Sequence, residues 1–214
     1  MGVRDESRRQ VTAAIRAAAR RQIAEVGGGA LSMRAIAREV GLVSSAVYRY
    51  FPTRESLLTA MIVESHGNLA SALPATEGLA GAEAWRTLGR GLRAWARSVP
   101  HEFQLIYGTP IPGYVAPPET VPAAAAVAEP FLRLAPRSAP DAFGDPVLAD
   151  QFGALGTTFP DADGAGLAAV LAELAALIGF ISLELSGHFV GTADPADALY
   201  EALLSRQVAT LGLA

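Results

Sequence analysis

The feature that most constrains the fold is residues 32–54, where two short helices are predicted on either side of one glycine. Ser32 can accept a hydrogen bond from the free amides of a first helical turn, so it predicts a helix start. Gly41 follows the apolar end of that helix, where glycine adopts a left-handed turn with the least strain. Ser44 predicts the start of a second helix, which Pro52 ends because proline cannot continue the hydrogen-bond ladder.

Three small or apolar residues in this stretch fit a crossing of the two helices. Ala37 is small enough for close approach, Gly41 forms the turn, and Val47 fills the angle between the helices. A single capping serine or turn glycine is weak evidence, but the whole string at these spacings predicts a helix-turn-helix.

The distribution of charge along the chain agrees with this motif. Residues 1–66 contain ten Arg and six acidic residues, a local charge of +4. Residues 67–214 contain seven Arg and fifteen acidic residues, a local charge of −8, and Lys is absent throughout. A basic N-terminal segment in an otherwise acidic chain indicates that this segment binds a polyanion such as nucleic acid. The alternative is that both charge blocks are simply solvated faces.

Composition narrows the class of protein further. The chain has no cysteine, which excludes a disulfide framework and a thiolate metal site. Its charged start, MGVRDESRRQ, has no apolar run behind it, so no signal peptide is expected. The most apolar stretch, 167–185, is interrupted by Glu173 and Glu184, which favours a buried helix over a membrane span. We therefore expect a soluble cytoplasmic protein with no membrane partner.

Apolar periodicity predicts helices through almost the whole chain, and no alternating strand pattern is present. The predicted helices are 8–26, 32–40, 44–51, 54–73, 82–98, 101–108, 121–134, 146–157, 164–187 and 194–211. The Pro- and Gly-rich segment 109–122 is predicted to be a loop. The predicted fold is all-α.

The helix order predicts an N-terminal three-helix DNA-binding domain with the helix-turn-helix and a larger helical domain, to which only the family resemblance assigns ligand binding and dimerisation. We expect the first domain at 1–52, a connecting helix and break at 53–81, and the second domain at 82–214.

This layout resembles the TetR family of bacterial transcriptional regulators. The resemblance is carried by residues 8–65, above all by GLVSSAVYRYFPTRESLL. HEFQLIYGTPIPGY and FISLELSGHF also resemble a C-terminal subtype common in actinobacteria. The resemblance implies a double-stranded DNA operator, a homodimer and a small-molecule effector.

The resemblance also implies a set of DNA-contacting residues. They are Ser32, Arg34, Ser44, Ser45, Ala46, Tyr48, Arg49, Tyr50, Thr53 and Arg54. Arg34 is expected at a base edge or phosphate, and the start of the second helix deepest in the major groove. Tyr50 and Arg54 are expected at phosphates. Alternatives remain open: Ser32 caps its helix, Tyr50 packs beside Phe51, and Arg49 is merely solvated.

Aromatic and polar residues in the second half are candidates for an effector site. They are Trp95, Phe103, Tyr107, Phe180, Glu184 and His188. Aromatic walls with few polar groups are typical of ligand pockets, and Tyr107, Glu184 and His188 would orient the ligand. The loop 109–122 would act as a stiff lid. In the alternative interpretation the aromatic residues are core and Glu184 with His188 makes a structural hydrogen bond.

The last two long helices, 164–187 and 195–211, are predicted to build the dimer. The first is apolar on more than one side, and its small residues Ala175, Gly179 and Ser182 allow close helix approach. Packing against a second copy would bury this excess in a four-helix bundle.

The expected function is a transcriptional regulator, a repressor released from its operator by a small, largely apolar ligand. No catalytic constellation, metal spacing or cofactor motif occurs in the sequence, so neither an enzyme nor a bound cofactor is expected. The alternatives are a ligand-independent regulator or activator, and a helical enzyme or interaction protein whose basic end is incidental.

Overall fold

The computed structural model describes residues 2–137 and 140–213, and over these ranges it contains helices and no strand. The all-α prediction is therefore confirmed. The α-helices are α1 Val3–Val26, α2 Met33–Glu39, α3 Ser44–Val47, α4 Arg54–Ala72, α5 Gly81–Ser98, α6 Pro100–Tyr107, α7 Val121–Leu132, α8 Pro146–Phe152, α9 Gly164–Leu185 and α10 Asp197–Thr210. Short 3₁₀ segments lie at Gly28–Ala30, Pro118–Thr120, Asp141–Phe143 and Gly153–Thr157.

The chain forms two compact units, each built from two separate segments. The first unit comprises Met1–Asn68 and His101–Ala124, and the second comprises Leu69–Pro100 and Ala125–Ala214. These units divide the chain differently from the continuous domains predicted above, because α6 and the loop after it belong to the first unit. Hydrophobic periodicity reports only on residues close together in sequence, so it does not predict that residues 101–124 pack into the first unit.

The first unit has an apolar core made by α1, α2, α3 and α4. Ile15, Ile36, Val47, Leu57 and Leu58 are all fully buried there. Their spacing on each helix puts one apolar stripe inward, which is why the sequence pattern predicted these helices.

The loop after α6 closes over the same core. The Tyr114 and Thr59 hydroxyls are hydrogen-bonded at 2.9 Å. A Cβ atom on Gly28 would lie only 2.8 Å from Leu105 Cδ1 and 2.9 Å from Ile111 Cδ1, so a larger residue here would have to displace the ends of these two side chains.

The second unit packs α5, α7, α9 and α10 around a core that also contains polar groups. The Trp85 and Phe131 rings meet edge to face at 5.4 Å between centroids. Trp85 Nε1 donates to Gln207 Oε1 at 3.0 Å, and Gln207 Nε2 donates to the Glu173 carbonyl at 2.8 Å. The Tyr200 hydroxyl donates to the Gly89 carbonyl at 2.7 Å and so ties α10 to α5.

Outside the helix-turn-helix, three helices differ from the predictions by three or more residues at one end. α1 begins at Val3 rather than Arg8, and the helix predicted at 146–157 changes at Gly153 from α to 3₁₀ geometry. α10 begins at Asp197, so Pro195 precedes the helix instead of occupying its first turn. Element ends are the part of a fold that local sequence determines least.

α9 is the one described helix long and apolar enough to cross a membrane by length and composition. Half of its most apolar window is buried inside the structure. The interpretation of this stretch as a core helix of the second unit accounts for its composition.

Candidate nucleic-acid interface

The turn between α2 and α3 has the geometry that the sequence predicts. Ser32 Oγ accepts a hydrogen bond from the Ala35 amide at 3.3 Å and caps α2. Gly41 has φ +70°, and the Leu42 amide beyond it donates to the Ala37 carbonyl at 2.8 Å. This is a glycine-terminated helix end, and the extended residue Val43 then leads directly into α3.

Buried apolar residues hold α2 and α3 at a fixed crossing. Ile36, Ala37 and Val47 are at most 1% exposed. The small side chain of Ala37 allows the two helices to approach, and Val47 occupies the angle between them. Their burial agrees with the predicted packing of α2 against α3.

None of the ten predicted DNA-contacting side chains is buried. Five are exposed, namely Arg34, Ser45, Tyr48, Arg49 and Thr53, and five are half-buried, namely Ser32, Ser44, Ala46, Tyr50 and Arg54. Tyr48 keeps 45% of its surface exposed, which is high for a large aromatic residue. The contacts themselves stay predictions, because they require DNA.

The second helix of the motif is shorter than predicted. It ends as an α-helix at Val47, and the chain continues in tight turns in which the Arg49 amide donates to Ala46 and the Tyr50 amide to Val47. The α-helix thus ends five residues before Pro52, so the proline alone does not determine where it ends. The predicted helix over 44–51 was therefore wrong in its second half.

Arg54 has a structural role that the sequence analysis missed. Its Nε donates to the Leu31 carbonyl at 3.0 Å, and its Nη2 donates to the carbonyls of Gly28 and Gly29 at 2.9 and 2.7 Å. The guanidinium thus satisfies backbone acceptors of the glycine-rich turn between α1 and α2. A phosphate contact by Arg54 stays a prediction, and it falls to Nη1, which lies 3.9 Å from Glu55.

Thr53 caps α4. Its Oγ1 accepts from the Ser56 amide at 3.0 Å, and Ser56 Oγ accepts from the Thr53 amide at 3.2 Å. This reciprocal arrangement is a capping box, and it fixes the start of α4 beside α3.

Tyr50 is half-buried, and its expected phosphate contact stays a prediction. It packs against the apolar core of the first unit, and the Arg8 guanidinium lies over its ring, 5.5 Å from the centroid. Arg8 was not among the predicted site residues. Its only sequence signal is that it belongs to the basic first helix.

The predicted effector residues are divided between the two units. In the first unit the Tyr107 ring lies 5.3 Å from Phe103 and 5.9 Å from His66. Burial raises the pKa of the Tyr107 hydroxyl to about 12, so this group is a neutral hydrogen-bonding group at physiological pH.

In the second unit the polar candidates have separate environments. Both carboxylate oxygens of Glu184 accept from Arg93, at 2.6 and 2.8 Å, whereas His188 is exposed. Phe180 packs between Phe189 and Tyr200, with centroids 4.8 and 5.1 Å away. Trp95 is buried in α5. Glu184 is therefore already engaged by a cation, and a ligand that used it would have to displace or share Arg93.

The comparisons with known proteins agree with the motif and with the helical body. A family model described as bacterial regulatory proteins of the tetR family matches residues 15–61. A second, described as tetracyclin repressor-like C-terminal domain, matches residues 85–207.

Similar proteins have been found in mycobacteria. The HTH-type transcriptional regulator Rv1816 of Mycobacterium tuberculosis is 41% identical over 123 residues, which are 56% of this chain and 53% of that protein. HTH-type transcriptional regulator Mb1846 of Mycobacterium bovis has the same identity and coverage. The chain spans about half the length of the curated relatives it matches.

Two solved structures have the same fold over nearly the whole chain. SCO4313, named as a regulatory protein, has a TM-score of 0.75 and 33% identity, covering 97% of this chain and 100% of that one. A protein of unknown function from Rhodococcus sp. RHA1 has a TM-score of 0.68 and 22% identity, covering 94% of each chain, and shows the fold alone. Because the family models match both the helix-turn-helix and more than half of the chain beyond it, this chain belongs to the TetR family of bacterial regulatory proteins.

Proposed function

We propose that the protein is a cytoplasmic transcriptional regulator that binds a double-stranded DNA operator through α2 and α3. The observation that carries this proposal is the capped, glycine-turned crossing of α2 and α3, which leaves all ten predicted contact residues accessible. The exposed start of α3 matches the end of a recognition helix that enters the major groove. Family membership supports the same function.

Sequence selection by the wild-type protein tests this function directly. Duplexes enriched from a random-sequence library should converge on a palindromic site, and their affinity should fall steeply with salt because bound phosphates release counterions. Failure to enrich any sequence would reject the proposed function.

Arg34 is the residue we expect to carry base recognition on α2. Arg34→Ala should weaken binding by about 1–3 kcal/mol and relax selection at one position of each half-site. The control is Arg133→Ala, which removes the same charge from an exposed position in the second unit. Equal losses in the two variants would show that Arg34 contributes only charge.

The dimer is proposed to form through α9 and α10. Both helices expose apolar surface that one copy leaves uncovered: Leu183 is 46% exposed on α9 and Leu199 is 44% exposed on α10. On α9, the small residues Ala172, Ala175 and Gly179 are exposed as well, which permits close helix packing. A two-fold dimer presents two recognition helices to a palindromic site.

Charge substitutions on this surface test the dimer. Leu183→Glu and Leu199→Glu should give monomers in light scattering and lose cooperative operator binding. Val147→Glu is the matched control, because Val147 is 67% exposed but lies on α8. A wild-type protein that is monomeric at micromolar concentration would rule out this assembly.

The regulator is proposed to act as a repressor whose effector is small and largely apolar. A ligand releases DNA only if it binds better to a conformation that binds DNA poorly. The supporting observation is the match of residues 85–207 to a repressor-like C-terminal domain. A screen of apolar and aromatic metabolites should find compounds that raise the Tm and lower operator affinity together; compounds that raise both would indicate a co-repressor instead.

A further inference from the structure

A basic groove lies along one face of α1 in the first unit. It is lined by Arg8, Arg9, Thr12, Arg16 and Arg20 of α1 and by Glu64 of α4, and it has a volume of about 540 Å³. We call it the α1 groove. Arg8, Thr12, Arg16 and Arg20 follow at intervals of four residues and so share one helical face. Four guanidinium groups and one carboxylate line the groove, and the Arg9 guanidinium also forms an ion pair with Glu6.

The arginines of this groove differ in how completely their charges are paired with carboxylates of the protein. Arg20 forms a close ion pair with Glu64 and lies 4.0 Å from Glu102. Arg16 reaches Glu64 only at 3.8 Å, and its buried Nε has no hydrogen-bond acceptor. Like charges one turn apart on a helix repel each other, so this face loses stability unless an anion approaches it.

One end of the α1 groove reaches the recognition surface. Arg8 lies over the ring of Tyr50, which follows α3 by only three residues. Arg16 lies two turns further along α1, about 12 Å away at 1.5 Å per residue. An anion that fills this length and starts beside the recognition helix is extended and carries several charges. These are the properties of a nucleic-acid backbone rather than of a single small anion.

We propose that the α1 groove binds phosphates of the DNA backbone that flanks the bases facing α3. Arg8 and Arg16 contact phosphate oxygens, and Tyr50 orients Arg8 through the contact of its ring with the guanidinium. This inference rests on the proposed DNA-binding function and extends its footprint from α2 and α3 to α1. The contacts carry no base information, so they add affinity without adding sequence preference.

The test uses duplexes enriched from a random-sequence library by the wild-type protein, with fluorescence anisotropy at several NaCl concentrations. Arg8→Ala/Arg16→Ala should reduce the slope of log K against log salt by about 2, roughly one unit for each phosphate contact, and leave the selected sequence unchanged. Arg8→Lys in the Arg16 wild-type background should keep the slope, because charge is retained. Arg133→Ala, the charge control, should also keep it.

The length of the duplex locates the contact. When the duplex ends at the last base pair of the selected site, the difference between the wild type and the double variant should disappear, because the flanking phosphates are gone. A double variant with the wild-type slope on long duplexes would overturn the inference while leaving the proposed function intact. Failure of the wild type to select any sequence would instead reject the proposed function.

Two further measurements separate DNA binding from misfolding of the variant and from binding of a small anion. The double variant should retain the wild-type circular dichroism spectrum and Tm, since both side chains are partly exposed; if it unfolds, Arg8→Gln/Arg16→Gln replaces it. Millimolar inorganic phosphate that raises the wild-type Tm while the salt slope is equal in all variants would assign the groove to a small anion and overturn the DNA assignment.

Discussion

The helix-turn-helix core and the α5–α9–α10 bundle are both helical, but their interiors differ in chemistry. Among the residues described, the buried side chains of α1, α2 and α3 are all apolar, and buried polar side chains of the first unit, such as Thr59, Ser65 and His66 of α4, lie outside these three helices. The bundle in the second unit buries Arg93, Glu173 and Gln207 between its helices. An apolar core accepts several arrangements of similar volume, whereas directed hydrogen bonds are satisfied in one register only.

The polar groups of the bundle form a connected set. Arg93 on α5 donates to both carboxylate oxygens of Glu184 on α9 and to Asp197 at the start of α10, the last at 2.8 Å. Its guanidinium also lies 4.9 Å from the centre of the Tyr200 ring. The ion pairs raise the pKa of Arg93, so this residue stays charged at every pH of interest. The network therefore sets the register of three helices at once.

The largest expected effect comes from removing the centre of this network. Arg93→Ala should lower the free energy of unfolding by about 3–5 kcal/mol, because it leaves the Glu184 carboxylate largely buried and unpaired. Arg21→Ala breaks the ion pair with Glu39 on the first unit, where the side chains are 60% and 38% exposed, and should cost at most about 1 kcal/mol. Urea denaturation of the two variants measures this contrast.

A double substitution separates pairing from packing. Arg93→Met/Glu184→Met removes both charges and should recover most of the stability lost in Arg93→Ala. If the double variant is as unstable as the single one, packing of the Arg93 side chain matters more than its charge. Equal losses for Arg93→Ala and Arg21→Ala would abolish the contrast between the two regions.

The next largest effect is expected at the buried hydrogen bond between Trp85 and Gln207. Trp85→Phe keeps an aromatic ring but leaves Gln207 Oε1 without its donor, at a cost of about 1–3 kcal/mol. A double-mutant cycle with Gln207→Leu should give a coupling energy of roughly 0.5–3 kcal/mol. A coupling energy near zero would show that the two side chains contribute to the bundle independently.

The same contrast explains what the sequence can predict. The helix-turn-helix was predicted from Ser32, Gly41 and Val47 because a cap, a turn and a buried apolar position are each determined by neighbouring residues. The early end of α3 was missed because the predicted helix was extended to the residue before Pro52, four residues beyond Val47. Local rules thus cover most of this region.

The contacts between the helices of the bundle could not be predicted in the same way. Arg93 and Glu184 are 91 positions apart, and Trp85 and Gln207 are 122 apart, so no spacing rule connects them. Glu184 was predicted as a ligand-orienting residue because it lies one helical turn from His188 on an otherwise apolar helix. Its partner, Arg93, is visible only once α5 and α9 are packed together. The Arg8–Tyr50 contact was missed for the same reason, since it also joins separate helices.

A smaller effect on the free energy of unfolding is expected at Ser32, the helix cap from which the helix-turn-helix was predicted. Ser32→Ala removes the cap of α2 and should lower the free energy of unfolding by about 1 kcal/mol. Ser32→Asn should keep the stability, because asparagine caps as well as serine does. If Ser32→Asn keeps the fold but weakens operator binding, Ser32 contacts DNA in addition to capping; if both properties are kept, capping is its whole role.

The smallest effect at neutral pH is expected from the buried histidine of the first unit. His66 is 6% exposed, and its Nδ1–H donates to the Ile62 carbonyl at 2.9 Å, which leaves Nε2 as the site of protonation. Burial lowers the pKa of His66 below its ordinary value of 6.5. Between the folded and unfolded pKa values the unfolded chain binds more protons than the folded protein. The contribution of His66 to stability is therefore complete above pH 6.5 and is lost as the pH falls below it.

His66→Phe keeps a ring beside Tyr107 and removes the titrating group, so the stability of this variant should depend less on pH between 7 and 5 than that of the wild type. Carboxylates titrate in both proteins and cancel in the difference. Parallel stability curves over this range would mean that His66 is as easily protonated in the folded protein as in the unfolded chain.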